Sequence, residues 1–277
     1  MLLSTLFFFI FFTFSVIIIF LFIAFVVSFE NRLKVIKSLS ILPKNQVNGS
    51  LVSVVIPAFN EESYLPNCLK SIKNQTYRNV EIIIADNGST DKTRKISSGL
   101  GAKILDVKDK NLSKVRNEGA KIAKGDILFF LDADSIIENC YIEKMVKQLS
   151  EKKIFSHGGI CCYDSKLHNF LWIFNRWFKP HFYTSGRNGV CIRKKDFWEI
   201  GGYDEKINPL NGEGREDLDL GLKILKKFGV FSIKYCPYVL IGSSARREKI
   251  FGYPFWKFPD AWQKGVRGVR NKKVLVD

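Results

Sequence analysis

The sequence predicts an α/β domain on a mostly parallel central sheet, preceded by one membrane-spanning helix. Two observations carry this. From about Leu51 onward, short β-branched runs alternate with helical patterns of about three turns, the signature of βαβ units. Before them, Leu2 to Phe29 contains no charged residue. A third observation bears on function: acids and amides gather after the predicted strands instead of scattering.

The N-terminal run of Leu, Phe, Ile and Val exceeds the ~20 residues that a helix needs to cross the hydrocarbon core. A cleavable leader would start basic and have a shorter apolar stretch. A retained anchor over 1–29 is therefore expected. Nothing basic precedes it, whereas Arg32, Lys34 and Lys37 follow, so the positive-inside rule puts the folded domain in the cytoplasm. Residues 30–50 read as a linker, ending in the polar stretch with Pro43 and Gly49. The domain itself is expected over 51–240, with a basic and aromatic tail over 241–277.

Leu51 to Pro57 reads as a buried strand, with Pro57 ending its ladder and turning the chain. Leu65, Cys68, Leu69 and Ile72 have helical spacing, so a helix follows over Ser63 to Gln75. Glu81 to Ala85 is the second strand, Asp91 to Leu100 a helix, and Ala102 to Val107 the third strand. A helix over Leu112 to Ala123 then leads to the fourth strand, Ile127 to Leu131, and a further helix covers Glu138 to Ser150. Downstream, Leu220, Leu222, Ile224 and Leu225 mark another amphipathic helix.

Charge and cysteine usage narrow the partners. The chain has 277 residues and a formal net charge of +16. Such an excess suits nucleic acid, an anionic membrane surface or simply a basic solvated exterior. No nucleic-acid-reading motif appears and the N-terminus is apolar, which favours membrane and no nucleic acid. Cys68, Cys140, Cys161, Cys162, Cys191 and Cys236 form no CxxC pair, so they read as reduced, mostly buried thiols.

In open α/β sheets, ligands bind outside the carboxyl ends of the strands. Asn60 and Glu61 follow the first strand, Asp86 and Asn87 the second, Asp132 and Asp134 the fourth. One rim is expected to gather them. Asp132-Ala-Asp134 in extended chain would point both carboxylates to one side. They would then share a hard cation, Mg²⁺ or Mn²⁺, whose open positions take phosphate oxygens. Helix capping is the plainer role, and it fits Asp134-Ser135 but not Asp132. Ser89 or Thr90 suits a cap as well, whereas Asp86 is left to accept hydrogen bonds from a base or ribose. Glu61 suits ribose hydroxyls or, more simply, a helix N-terminus. Arg116, before the fourth strand, either faces diphosphate charge or lies on a solvated helix face. Between Glu213 and Asp219, four carboxylates fall in seven residues, including Glu216 and Asp217. They open the last helix, where the dipole favours acids, and one of them suits a general base. Arg246 or Arg247 is placed to clamp a diphosphate, with Arg247 taken as the site residue, against the alternative of a basic surface loop. The tail rich in Trp, Tyr, Phe and Lys from Phe251 suits a membrane interface or packing against the domain.

PAFNEE, EIIIADNGSTDKT, RNEGAKIAKGDILFFLDADS, IGGYDE and GREDLDL, in that order, resemble the family 2 glycosyltransferases. The resemblance spans about Leu51 to Gly229. It implies a Rossmann-like nucleotide-sugar transferase fold of the A type and transfer with inversion by direct displacement. It implies that Pro57, Asn60 and Glu61 form the nucleotide-binding first loop and that Asp86 contacts the base. Asp132 and Asp134 match the metal and diphosphate motif, and Asp217, after Glu216, matches the catalytic base. The expected partners are a nucleotide-sugar donor, a lipid-linked or glycan acceptor, and the membrane. The QxxRW motif of processive members is absent from the sequence given, which argues for transfer of a single sugar. The alternative is a non-catalytic nucleotide-sugar or glycan binder on the same fold, but such a binder predicts loss of Asp217 or of the paired aspartates. A nucleotidyltransferase would want a glycine-rich loop where PAFNEE stands, and a dehydrogenase would need a GxGxxG after a strand.

Overall fold

A computed structural model describes residues 2–43, 45–109, 111–149, 153–177, 188–208 and 216–246. Its centre is β1 (Val52–Ala58), which pairs in parallel with β2 (Val80–Asp86) on one side and with β4 (Ile127–Phe130) on the other. β3 (Lys103–Asp106) adds in parallel to β2. The helices between them are α2 (Leu65–Lys73), α3 (Thr93–Gly99) and α4 (Leu112–Ile122). These elements follow the expected alternation, with ends shifted by a residue or two.

Side-chain alternation along β1 explains the layering. Val52, Val54 and Ile56 face one side and pack with Leu65 and Leu69 of α2 and Met145. Val55 faces the other side, with Ala120 of α4, Phe130, Phe197 and Leu220. A strand buried on both faces reads as a continuous apolar run, as this one does.

Beyond β4 the chain departs from simple alternation. β5 (Ser135–Ile137), α5 (Tyr141–Gln148), β6 (Phe155–Cys162), α6 (Lys166–Trp177), β7 (Val190–Arg193), α7 (Lys194–Glu199), α8 (Glu216–Phe228) and β8 (Ile233–Ser243) follow. The sheet has eight strands among the described residues, in the order β3-β2-β1-β4-β7-β6-β8-β5. β7 runs antiparallel to both β4 and β6, β8 parallel to β6, and β5 antiparallel to β8. The register of β6 on β8 shifts between Gly158 and Gly159, a bulge.

Four local expectations are corrected. Pro57 does not end the β1 ladder, because it pairs with Ala85 and β1 runs on to Ala58. Val55 carbonyl accepts from Leu131 on the β4 side, and Pro57, two residues on, faces the same way where that pairing has stopped. Its missing N–H therefore costs no ladder bond. Asp134 caps no helix, since β5 follows it directly and α5 begins only at Tyr141. Asp91, not Ser89 or Thr90, accepts from the Thr93 N–H at 2.9 Å as α3 begins. Residues 30–37 are not linker: α1 (Leu2–Lys37) continues through them as one helix, about 54 Å long at 1.5 Å per residue.

The inner end of α1 is docked, not loose. Val35 is fully buried against Ile136, Cys161 and Leu240. Arg32 Nε donates to the Tyr163 carbonyl at 2.8 Å, and Lys34 pairs with Glu138 at 3.2 Å. Within α1, the stretch Phe11–Lys37 is long and apolar enough to cross a membrane.

Gly119 shows how closely α4 lies on the sheet. A methyl there would run into Cγ1 of Val55. Gly119→Val is expected to cost about 1–3 kcal/mol by overpacking, seen as a lower urea midpoint. The companion change Val55→Ala should recover much of that loss; an unchanged midpoint in Gly119→Val would show that α4 does not rest on β1 this closely.

Candidate active site

Because β1, β2 and β4 are parallel, their carboxyl ends share one rim. Asp86 closes β2, Asn60 and Glu61 follow β1, and Asp132 and Asp134 follow β4. The two aspartates sit on a tight turn, not on extended chain: the Ser135 N–H donates to the Asp132 carbonyl at 3.1 Å. Asn188 braces this turn. Its Oδ1 accepts from the Asp132 N–H at 2.8 Å, and its amide donates to the Ser135 hydroxyl. The Cys68 thiol lies beneath, 3.7 Å from the Asp132 carbonyl, and burial, with Asp134 nearby, holds its pKa well above the ordinary thiol value.

Arg116 is on the rim, not on a solvated face. It comes from α4, is 6% exposed, and forks between two carboxylates. One Nη donates to Asp132 Oδ1 at 2.9 Å, the other to Glu216 Oε1 at 2.6 Å. Burial opposes its charge, yet Asp132 and Glu216 outweigh that and hold its pKa above the ordinary guanidinium value. The Tyr203 ring lies 5.4 Å from the guanidinium. Asn117, the next residue on α4, fixes Tyr203 in place. Its amide donates to the Tyr203 carbonyl at 2.9 Å, and its Oδ1 accepts from the Tyr203 N–H at 3.0 Å. Gly202 before it has φ +64°, which glycine adopts without strain, and a Cβ there would crowd Asn117 Oδ1.

Glu216 and Asp217 open α8, with Asp219 in the same first turn. Arg116 thus ties α8 to the Asp132 turn, with half-buried Asp217 beside the tie. The Gly212–Arg215 part of this motif lies outside the described residues.

Arg246 supplies the second guanidinium. It binds Glu61 with both Nη atoms, at 2.8 and 2.5 Å, and its Nε lies 3.2 Å from Asp134 Oδ2. It also lies 4.8 Å from the Tyr64 ring centre. Burial works against its charge, but Glu61 and Asp134 prevail and raise its pKa. Arg247, the expected clamp, lies outside the described residues, as does the tail from Phe251.

Asp86 is fully buried. Its Oδ2 accepts from Arg94 at 2.9 Å and from the Ser89 N–H at 3.3 Å. Oδ1 has no hydrogen-bond partner among the described residues. An orphaned buried acceptor is costly, and a ligand N–H would relieve it. Asn60 serves the loops: at φ 53°, it accepts from the Thr90 N–H at 2.8 Å and donates its own N–H to the Ser89 hydroxyl at 3.0 Å. Pro57 is half-buried in β1, behind this junction.

Among the described residues no three or more His, Cys, Asp or Glu side chains group as a metal site. Asp132 and Asp134 nevertheless fit a hard cation that takes its other ligands from phosphate oxygens and water. Asp132 is 36% exposed, so an oxygen remains reachable beside Arg116.

Sequence reasoning found the acids and Arg116 but not Asn188, Tyr203 or Arg94. Asn188 and Tyr203 come from segments far along the chain, and only the antiparallel return of β7 brings Asn188 to the turn. Arg94 offers a signal, since it is the second residue of α3, close behind the strand that ends in Asp86.

A glycosyl transferase family 2 profile matches residues 53–198, and a glycosyltransferase-like family 2 profile matches 148–253. The chain belongs to glycosyltransferase family 2. Glycosyltransferase GlyG of Streptococcus pneumoniae serotype 4 is 31% identical over 159 residues, covering 55% of this chain and 49% of GlyG. The chain thus spans about half the length of that relative. In fold it resembles S. aureus TarS, with a TM-score of 0.56 and 17% identity over 72% of this chain and 62% of that one. It also resembles glucosyl-3-phosphoglycerate synthase from Mycobacterium tuberculosis, in complex with Mn²⁺, UDP and glucosyl-3-phosphoglycerate. There the TM-score is 0.53 and the identity 16%, over 80% of this chain and 82% of that one. These likenesses identify the A-type nucleotide-sugar transferase fold.

Proposed function

We propose that this chain is an inverting, metal-assisted glycosyltransferase that moves one sugar from a nucleotide-sugar donor to a lipid-linked or glycan acceptor at the cytoplasmic membrane face. The observation that carries the donor reading is the Asp132–Ser135 turn, with Arg116 on Asp132 and Arg246 on Asp134. Alternating carboxylates and guanidiniums at a strand end suit a diphosphate and a hard cation together. The UDP and Mn²⁺ bound to the mycobacterial enzyme support the same choice of ligands.

In this reading Asp86 Oδ1 accepts a hydrogen bond from the base. Arg246 turns from Glu61 toward the diphosphate, and Glu61 is released to hold ribose hydroxyls. Asp132 and Asp134 would hold Mg²⁺ or Mn²⁺, which when bound offsets the negative charge that builds on the diphosphate as the sugar leaves. Arg116 keeps the Asp132 turn and α8 in fixed relation. Asp217 takes the proton of the acceptor hydroxyl as that oxygen attacks the anomeric carbon. The anchor is α1, with its basic Arg32–Lys37 end on the side of the domain.

A panel of nucleotide sugars with Mg²⁺ or Mn²⁺ tests the donor claim. At about 100 times its Kd, a donor should stabilise the fold by about 2.7 kcal/mol, read as a raised Tm. No shift and no hydrolysis with any member of the panel would reject a nucleotide-sugar donor.

A further inference from the structure

α6 is firmly attached to α1. Asn169 sets the level of that contact. Its amide donates to the Ser28 carbonyl at 2.5 Å and to the Ser28 hydroxyl at 2.9 Å, while its Oδ1 accepts from the Cys162 N–H at 2.9 Å. Just before α6, the Cys161 thiol meets the Asn31 carbonyl and the Tyr163 carbonyl meets Arg32. Residues 161–163 therefore lie at 31–32 of α1, and 169 lies at 28. From these levels α6 runs antiparallel to α1, back toward its apolar half. Trp177 is eight residues past Asn169, about 12 Å further along at 1.5 Å per residue. Ala24, one turn before Ser28 on the same face of α1, is fully buried, whereas Phe22 and Phe25 stay exposed.

We propose that α6 dips into the bilayer beside α1, with its outer face against lipid of the leaflet nearest the domain. The proposal rests on the reading of α1 as a membrane span. If Leu2–Phe29 lies in the membrane, then a helix packed at Ser28 and running toward Ala24 enters the same zone. Its sequence suits that position: from Leu167 to Phe174 only His168 and Asn169 are polar, and Asn169 is spent on α1. Leu167, two residues from Asn169 and so on another face, is 63% exposed. Lys166, at the shallow end of α6, suits the lipid headgroup boundary, and Arg176 is the one charged residue toward the deeper end. Residues 178–187 then lead in sequence to Asn188, which braces the Asp132 turn. Asp164, just before α6, accepts from the Ser244 hydroxyl and the Ala245 N–H, next to Arg246 of the rim, so a lipid-linked acceptor beside the start of α6 would meet the rim without leaving the membrane.

Photo-crosslinking on the full chain in phosphatidylethanolamine–phosphatidylglycerol vesicles tests this. A benzophenone amino acid replaces Leu167, Leu171, Phe22 of α1 or Leu222 of α8, one at a time. Leu167, Phe22 and Leu222 are exposed, so these changes leave the core intact. Lipid adducts at Leu167 and Leu171 should approach those at Phe22 and exceed those at Leu222 several-fold. Adducts at Phe22 with only the Leu222 level at both α6 positions would overturn the proposal and leave the anchor standing. Adducts at none of the four would overturn both.

Discussion

Asp217→Asn is expected to lower kcat for sugar transfer by about two to four orders of magnitude, the usual worth of a placed general base. Donor affinity should stay within about two-fold, because the side chain is nearly isosteric and makes its contribution only as the acceptor's proton moves. The placement argues for this residue over its neighbour. Glu216 is 10% exposed and already committed to Arg116 at 2.6 Å, so it is part of the frame. Asp217 is half-buried beside that frame, in the first turn of α8, where the helix dipole favours an acid. Glu216→Gln should therefore behave differently, weakening donor binding more than turnover. Equal kcat in Asp217→Asn and the parent protein would remove Asp217 from the role.

Arg116→Met should be the most destabilising single change at the rim, by about 3–5 kcal/mol, because it strips the partner from a buried carboxylate. Most of that cost belongs to Glu216, since Asp132 is partly exposed and water can replace its partner. Combining Arg116→Met with Glu216→Gln should cost clearly less than the sum of the two single changes, as expected for a coupled pair. Arg116→Lys should recover only part of the loss, because an ammonium cannot fork between carboxylates on two different elements. Urea denaturation of the parent protein and the four variants measures all of this. A loss below about 1 kcal/mol in Arg116→Met would mean that the Arg116–Glu216 pair is no stronger than a surface ion pair.

The sequence was most readable where local and tertiary signals agree. β1, β2 and β4 are short, β-branched and buried on both faces, so their periods and the acids after them located the rim. Prediction failed where long-range pairing decides the outcome. β6, with His157, Gly158 and Gly159 in its middle, reads poorly as a strand and forms because β7 and β8 flank it. Ser135–Ile137 looked like the approach to a helix, but pairing with β8 makes it a strand and takes Asp134 away from any cap. The helix also runs on past the charge-free stretch for a tertiary reason. The charge-free run stops at Phe29 and 30–50 reads as linker, whereas burial of Val35 and the ties of Arg32 and Lys34 to the domain carry the helix to Lys37. The Glu61–Arg246 pair joins residues far apart in sequence, and a chain read without contacts offers no way to choose Arg246 over Arg247.

The central claim is that the Asp132–Asp134 turn holds a nucleoside diphosphate through a divalent cation. Calorimetric titration of UDP, GDP, CDP and ADP, each with and without Mn²⁺, tests it directly on the parent protein and on Asp132→Asn and Asp134→Asn. At least one nucleotide should bind the parent protein only with Mn²⁺, and each variant should lose that binding. Binding of equal strength without the metal, or in both variants, would contradict the account.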